Sequence, residues 1–305
     1  MASFLPVKAL LLAVLLAFLP ATGSAENVTA LIGAPRVHLT APEDTLADIA
    51  LRYDVGYTEL LAANPLTDPW LPQPGIPIIL PTRHLLPEAP HDGIVINLAD
   101  QRLYFFPPDG PPLTWPLGIG IEEATRFTGS TQVVRKRVNP SWYPTARMRA
   151  ADPSLPRRVP PGPDNPLGTR ALYLGVPTIL IHGTNLPYGV GRRVSQGCFR
   201  LNPDAVEALY RQVPVGTPVT VVDQPIKLAW VSGELWLEVH PTVDQAAELE
   251  ITRHITAAPD IEGVRAAVTQ AAGDRADRVD WAKVERLARE RNGIPEPVSI
   301  DTDNS

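Results

Sequence analysis

The chain has 305 residues, of which 44% are hydrophobic and 20% are charged, and its formal net charge is −6. These values are ordinary for a globular protein and exclude a disordered or fibrous chain, while the negative balance argues against nucleic acid as a partner. The 35 prolines favour ordered loops between strands over long helices, because proline and its preceding residue prefer extended and turn conformations.

Residues 1–25 have the pattern of a signal peptide. Lys8 precedes an apolar run over residues 9–20, and small residues at positions 23–25 follow at the spacing of a cleavage site. The run is shorter than the roughly 20 residues that a membrane-spanning helix needs. The pattern predicts export, and retention of the segment as a membrane anchor is the alternative.

A small strand–helix–helix–strand unit is predicted for residues 36–82. Apolar residues recur at helical spacing directly after Asp44 and Thr45, either of which can cap the first helix. A second short helix and a closing strand follow. The flanking segments are predicted to be a flexible lead-in (26–35) and a linker (82–91).

Residues 91–223 are predicted to form a mostly β core. Short runs rich in β-branched and aromatic residues alternate with turn residues. The strands are expected at residues 94–98, 101–106, 113–118, 131–138, 170–174, 178–182 and 217–222. One helix is expected to begin with Asn202 as its N-cap and Pro203 in its first turn.

A hairpin and a helical tail are predicted for residues 224–305. The hairpin turns at residues 232–233, a Ser-Gly pair, and apolar spacing indicates helices at 261–272 and 281–292. From Glu296 onward the chain is polar and is predicted to be loose. The expected fold class is therefore mostly β, with helices in the first unit and at the C-terminal end.

Cys198 is the only cysteine of the chain. An exported protein with one cysteine cannot form an internal disulfide, and a free thiol in an oxidising compartment is a liability. A buried structural thiol is the simplest alternative, because free cysteine packs as a small hydrophobic side chain.

The neighbours of Cys198 indicate a nucleophile. An apolar strand ends at His182, Gly183 follows it, and Gly197 directly precedes the cysteine. A thiol nucleophile needs a base, backbone N–H donors for the oxyanion, and open access for the carbonyl carbon. These residues fit a thiol hydrolase, a transferase or a redox enzyme. The lack of a resolving cysteine argues against dithiol redox chemistry. The six histidines show no metal-ligand spacing, so no metal or other cofactor is predicted.

A basic run covers residues 126–158. It contains a single acidic residue, Asp152, and eight basic ones: Arg126, Arg135, Lys136, Arg137, Arg147, Arg149, Arg157 and Arg158. Either the run is a solvated face, or it lines a cleft that attracts an anionic substrate.

Five segments resemble the YkuD-type L,D-transpeptidase domain, over roughly residues 91–223. They are 97–106 (NLADQRLYFF), 116–120 (PLGIG), 162–168 (GPDNPLG), 182–185 (HGTN) and 195–201 (SQGCFRL). The resemblance implies a β-sandwich-like catalytic domain.

The unit at residues 36–82 is similar to a LysM module, a family that binds N-acetylglucosamine-containing glycans. The matching residues are Asp44-Thr45-Leu46, Ile49-Ala50, Tyr53, Leu60, Asn64-Pro65, Gly75 and Ile78-Ile79-Leu80-Pro81. Glu43 departs from the usual glycine. The alternative is a packing unit without glycan affinity; if the unit does bind glycan, its removal is expected to spare acylation. The two units together resemble the ErfK/YbiS branch.

The resemblance implies that Cys198 is the nucleophile and His182 its proton acceptor, with the imidazole oriented by a backbone carbonyl. The amides of Gly197 and Cys198 would form much of the oxyanion hole. It also implies that a carbapenem, which presents a strained acyl group, acylates Cys198.

Further residues would shape this site. The resemblance assigns that role to Ser195, Gly183 and Arg200, and the Arg200 guanidinium would bind a substrate carboxylate. Many relatives carry histidine at the position of Gln196 and asparagine at that of Arg200.

The implied activity is peptidoglycan L,D-transpeptidation in the periplasm. The Cys198 thiolate would attack the carbonyl of diaminopimelate at position 3 of a tetrapeptide stem and release D-alanine. The acyl group would pass to an amine, and resemblance favours the C-terminal lysine of an outer-membrane lipoprotein. The alternatives are 3–3 cross-linking, hydrolysis as an L,D-carboxypeptidase or amidase, and a non-catalytic peptidoglycan-binding protein. The expected partners are stem peptides, glycan and the lipoprotein.

Overall fold

A computed structural model describes residues 30–120, 127–195 and 197–300. The strands are β1 (Leu31–Gly33), β2 (Arg36–Leu39), β3 (Pro77–Leu80), β4 (Arg83–Leu85), β5 (Gly93–Asn97), β6 (Arg102–Phe106), β7 (Leu113–Pro116), β8 (Ile119–Gly120), β9 (Gly129–Val138), β10 (Arg170–Leu174), β11 (Leu180–His182), β12 (Arg193–Ser195), β13 (Phe199–Arg200), β14 (Pro218–Val222), β15 (Ile226–Val231), β16 (Glu234–Val239) and β17 (Glu296–Pro297). The α-helices are α1 (Leu46–Tyr53), α2 (Tyr57–Ala63), α3 (Ala146–Ala151), α4 (Pro203–Gln212), α5 (Val243–Thr252), α6 (Ile261–Ala272) and α7 (Trp281–Glu290). None of the described helices has the length and apolar character of a membrane span. The predicted signal peptide lies outside the described residues.

The first unit has the predicted strand–helix–helix–strand order. β2 and β3 pair antiparallel, and α1 and α2 bury their apolar faces against them. Of the two candidate caps, Thr45 caps α1, since its side chain accepts a hydrogen bond from the Asp48 amide. Asp44 is buried and instead binds the His38 ring. The core of the unit is built by Leu46, Ile49, Leu60, Leu61 and Ile78.

The predicted lead-in and linker contain paired strands, so the expectation of a flexible lead-in is wrong for residues 31–33. β1 pairs antiparallel with β4, and Leu31 lies opposite Leu85. Leu85 is fully buried. Each short strand satisfies backbone groups of the other, and local sequence patterns cannot reveal a pairing between segments so far apart. Residues 26–29 lie outside the described part of the chain.

The predicted β core is an eight-stranded curled sheet with the order β13-β11-β10-β9-β14-β5-β6-β7. The β11–β13 and β14–β5 pairs are parallel and the others antiparallel. One face of the sheet packs on α4 through Val206 and Leu209, which belong to the same buried cluster as the strand side chains. The expected mostly β fold is confirmed.

Asn202 occupies the N-cap position of α4, as predicted, but its side chain makes no capping hydrogen bond. Its Nδ2 instead donates to Asp54 Oδ1 in the first unit, at 2.6 Å. Pro203 has no N–H, which leaves one fewer helical donor to satisfy. The Asn202 side chain therefore links the start of α4 to the first unit and does not cap the helix.

Helix α5 was not predicted, although a Thr242–Gln245 capping box starts it. Its apolar positions do not face a single core. Val243 packs in the cluster of the large sheet, whereas Leu249 packs in that of the first unit. A helix that divides its apolar residues between two cores lacks the continuous stripe that sequence periodicity detects.

The C-terminal end is ordered through Ile300, so the expectation of a loose chain from Glu296 is wrong for residues 296–300. β17 pairs with β16, and Val298 is fully buried beside α6 and α7. Local sequence patterns do not mark this strand, because β17 has only two residues and Val298 is the one fully buried side chain beside it. Residues 301–305 lie outside the described part.

A buried ionic network joins the large sheet to the β15–β16 hairpin, whose predicted turn is present. Lys227 Nζ lies 2.8 Å from Asp100 Oδ2 and 2.8 Å from Glu238 Oε1, and donates to the Leu85 carbonyl at 2.9 Å. Burial by itself would lower the pKa of Lys227, but the Asp100 and Glu238 carboxylates raise it well above its usual value. The lysine is therefore charged, and both carboxylates depend on it.

Candidate active site

The parallel pairing of β11 and β13 brings the candidate residues together. Ile181 lies opposite Phe199, and both are buried in the main core. Because side chains alternate along a strand, the next pair, His182 and Arg200, faces the other side of the sheet. Cys198 lies two positions before Arg200, just outside β13, and continued alternation of side chains would put it on that same side. The register thus brings His182 beside Arg200, and Cys198 directly precedes Phe199 of the same strand pair.

The His182 ring is buried, and its Nδ1 lies 2.5 Å from the Gly183 carbonyl oxygen. A carbonyl only accepts hydrogen bonds, so Nδ1 carries the proton and Nε2 is left as the basic nitrogen. Burial, with a smaller contribution from the Arg200 charge, lowers the pKa of His182 to about 4, against the opposing effect of the Gly183 hydrogen bond. The ring is therefore neutral at neutral pH and can accept a proton.

Cys198 is partly exposed, and its Sγ donates to the Thr178 carbonyl at 3.3 Å. Burial raises the pKa of the thiol, although the Leu180 amide and the Arg200 charge act in the opposite direction. The resting pair is thus a neutral thiol and a neutral imidazole. Such a pair forms thiolate only as the sulfur attacks, when the imidazole takes the proton.

Two turns flank the sulfur. Gly197 has φ 111°, a conformation that residues with a side chain rarely adopt. Thr178 has φ 69°, which is unusual for a β-branched residue, so the turn that presents its carbonyl to Sγ is strained. Sequence analysis missed Thr178, since no pattern marks a positive φ at threonine.

Arg200 is a charged side chain beside Cys198 and His182. Its guanidinium makes no hydrogen bond or ion pair with any residue that the structure describes, and its Nε is buried. Burial lowers its pKa, and Cys198 acts in the opposite direction. A partly buried, unpaired guanidinium beside a nucleophile is suited to bind an anionic group of a substrate.

The other predicted site residues are placed as follows. Gly183 supplies the carbonyl that orients His182. The backbone of Ser195 belongs to β12, which pairs with β8. The side chain of Ser195 and all of Gln196 lie outside the described residues.

The basic run does not act as one surface. Arg135 stacks on Tyr173 at 3.8 Å from the ring centroid, and Lys136 donates to the Tyr210 carbonyl at 2.6 Å. Arg137 is exposed, and no partner for it is found among the described residues. Arg126 lies outside them. The run therefore divides into structural contacts and at least one cation, Arg137, that has no partner in the described part of the chain.

One cluster of potential metal ligands occurs in the described part of the chain: Asp100, Glu238 and His240. Lys227 already places its ammonium group 2.8 Å from both carboxylates of this cluster. The cluster is thus explained by an internal cation.

Comparison with known proteins gives two family matches. The L,D-transpeptidase catalytic domain (YkuD) matches residues 91–221, and the LysM domain matches residues 38–81. The probable L,D-transpeptidase ErfK/SrfK of Salmonella typhimurium is 38% identical over 281 residues, which cover 88% of each chain. The probable L,D-transpeptidase YbiS of Escherichia coli is 41% identical over 220 residues, or 69% of this chain and 71% of that one. Among solved structures, L,D-transpeptidase 3 of Mycobacterium tuberculosis is 16% identical, with a TM-score of 0.34, over 63% of this chain and 93% of that one.

Proposed function

The chain belongs to the L,D-transpeptidase family and carries a LysM domain, and from this premise we propose that Cys198 and His182 transfer acyl groups of peptidoglycan stem peptides in the periplasm. Both matched domains imply peptidoglycan binding. Export depends on the predicted signal peptide, and fractionation of cells that express the full chain tests the location.

The observation that carries the proposal is the register of β11 and β13. It puts His182 opposite Arg200, two residues beyond Cys198, while the Gly183 carbonyl orients the ring. In the first half-reaction, Nε2 takes the thiol proton as Sγ attacks the diaminopimelate carbonyl carbon. The bond to the D-alanine nitrogen then breaks, and the imidazolium gives its proton to that leaving amine.

In the second half-reaction, an acceptor amine attacks the thioester and passes a proton to Nε2. The carbon–sulfur bond breaks, and the proton returns to sulfur. Because its pKa is about 4, the His182 imidazole is neutral at rest, and its conjugate acid readily gives its proton to the leaving amine. We assign the oxyanion hole to the amides of Gly197 and Cys198.

Two arginines that have no partner among the described residues, Arg137 and Arg200, flank His182 and support an anionic substrate. Ala171 pairs with Arg137 on one side and with His182 on the other, and His182 pairs with Arg200. These four residues form one row across the sheet and share a face. Strands lie about 4.8 Å apart, so an arginine side chain at position 137 can extend over the small Ala171. Stem peptides carry free carboxylates that such a pair can bind.

Replacing Arg137 with glutamine is expected to raise KM for a tetrapeptide substrate about tenfold, or about 1.4 kcal/mol, with kcat changed little. The side chain would bind a carboxylate equally in the ground and transition states, which affects KM alone. Steady-state kinetics on a defined muropeptide measure both constants. Arg211→Gln is the matched control, because it removes an exposed charge from α4 on the opposite face. Equal KM values for the two variants would contradict the assignment.

We further propose that the acceptor is the C-terminal lysine of a lipoprotein, which rests on resemblance to the ErfK/YbiS branch. The enzyme is expected to form peptide-linked stems when it is incubated with tetrapeptide-bearing sacculi and a lysine-terminated peptide. Mass spectrometry of the released muropeptides identifies the products. Only 3–3 dimers would overturn the lipoprotein proposal and keep transpeptidation. Only shortened stems would indicate hydrolysis.

A further inference from the structure

The loop between the proposed base and nucleophile, residues 183–197, is anchored outside the large sheet. The Gly191 carbonyl accepts a hydrogen bond from the Thr58 amide at 3.0 Å, and it lies 2.8 Å from the Thr58 hydroxyl oxygen. Thr58 belongs to α2 of the LysM domain and is 4% exposed. Water therefore competes poorly for these bonds, and the loop is held at its middle by the neighbouring domain.

Gly191 is required by this contact. Its φ is 71°, and a Cβ at this position would lie 2.3 Å from Gly56 Cα and 2.5 Å from the Tyr57 nitrogen. Both atoms belong to the backbone, which cannot move aside as a flexible side chain can. The loop and the start of α2 thus meet backbone to backbone, an approach that only glycine permits.

Helix α5 completes the anchor. Glu250 Oε1 lies 2.5 Å from Thr58 Oγ1 and shares the single proton of that hydroxyl with the Gly191 carbonyl. Glu250 Oε1 also accepts a hydrogen bond from the Arg193 amide at 3.3 Å. The Arg193 guanidinium also donates to the Val243 carbonyl at 3.0 Å. One carboxylate therefore joins the LysM domain to the loop two residues beyond Gly191.

The segment that contains Cys198 is also held on its far side. Asn202 Nδ2 donates to Asp54 Oδ1 at 2.6 Å, and Asp54 is the C-cap residue of α1. Contacts with the LysM domain and α5 thus flank the cysteine at Gly191, Arg193 and Asn202. A long loop without such hydrogen bonds would sample many conformations, and each of these hydrogen bonds lowers its conformational entropy.

We propose that Thr58 and Glu250 are positioning residues that fix Gly191 and thereby hold Cys198 against His182. The LysM domain is then part of the catalytic scaffold as well as a peptidoglycan-binding domain. Its removal would slow acylation, in contrast to the expectation from sequence that the two activities are separable. A displacement of about 1 Å can cost about a hundredfold in rate. The inference rests on the proposed roles of Cys198 and His182.

The test compares three variants of the full-length protein. Thr58→Val removes the hydroxyl with little change in shape, and Thr58→Ser keeps it. Thr40→Val is the matched control. Thr40 is a buried LysM hydroxyl that donates to the Gln73 carbonyl and accepts from the Ile76 amide, away from the loop. Carbapenem acylation rates, hydrogen exchange of backbone amides and thermal unfolding are measured for each.

Thr58→Val is expected to acylate about tenfold more slowly than the wild type, with about tenfold faster amide exchange in residues 187–200. Thr58→Ser should restore both values to within about twofold of the wild type. Thr40→Val should speed exchange only within the LysM domain, even at an equal loss of thermal stability. The inference is overturned if Thr58→Val acylates and exchanges like Thr40→Val. If the wild type is not acylated, the proposed function fails, and exchange in residues 187–200 still decides whether Thr58 anchors the loop.

Discussion

Replacement of Cys198 by serine or alanine is expected to lower transpeptidation at least about 100-fold, which corresponds to about 2.7 kcal/mol in the activation barrier. A serine hydroxyl has a far higher pKa than a thiol and needs a stronger base to attack. His182 is a weak base, because burial lowers its pKa to about 4. The serine variant should therefore be nearly as inactive as the alanine variant. Product formation from tetrapeptide substrates, measured by mass spectrometry, gives the residual rate.

The fold of both variants should be intact, which serves as the control. Cys198 is partly exposed, and its hydrogen bond to the Thr178 carbonyl is long, at 3.3 Å. Its loss should change the free energy of unfolding by less than about 1 kcal/mol. Residual activity above about 1% of the wild-type rate, equivalent to less than about 2.7 kcal/mol of barrier, would refute the assignment of the nucleophile.

Lys227→Met is expected to destabilise the protein by about 3–5 kcal/mol, because it leaves the buried carboxylates of Asp100 and Glu238 without their cation. Burial by itself would raise the pKa of Glu238, but the Lys227 charge and the His240 hydrogen bond lower it well below its usual value. That balance is lost in the variant. Urea unfolding at neutral pH measures the change in free energy.

Arg289→Met is the matched control for this effect. Arg289 pairs with Glu285 at 2.9 Å on the surface of α7, with 55% of its side chain exposed. Exposed pairs of this kind contribute about 0.3–0.5 kcal/mol. A loss of similar size in both variants would mean that the Lys227 network does not hold the hairpin to the sheet.

Much of the fold could be predicted from local patterns. Seven of the eight strands of the large sheet, the Ser232-Gly233 turn and the apolar faces of α1, α6 and α7 follow from periodicity and turn chemistry. The eighth strand, β13, was not predicted, because two residues carry no periodic signal. What could not be predicted depends on partners distant in sequence. β1 with β4, β17 with β16, and the divided packing of α5 each have too few residues to carry a local signal.

At the candidate site, too, local features could be predicted from the sequence and contacts with distant residues could not. The sequence identified Cys198, His182 and Gly197 from residue types and order. It could not give the register of β11 and β13, which decides the face that each side chain occupies. Gly191 could be noticed as a glycine, but Thr58 and Glu250 lie in other elements and their residue types reveal nothing. Even Asn202, a typical cap, binds Asp54 instead.

The central claim, that Cys198 is the acylated nucleophile, is tested most directly by intact mass after incubation with a carbapenem. Sulfur attacks the lactam carbonyl, the ring carbon–nitrogen bond breaks, and the thiol proton passes to that nitrogen, so the adduct adds the full mass of the drug. The account predicts one adduct per chain, located on Cys198 by peptide mapping, and none in the Cys198→Ser variant. An absent adduct in the wild type, or an adduct on another residue, would contradict it.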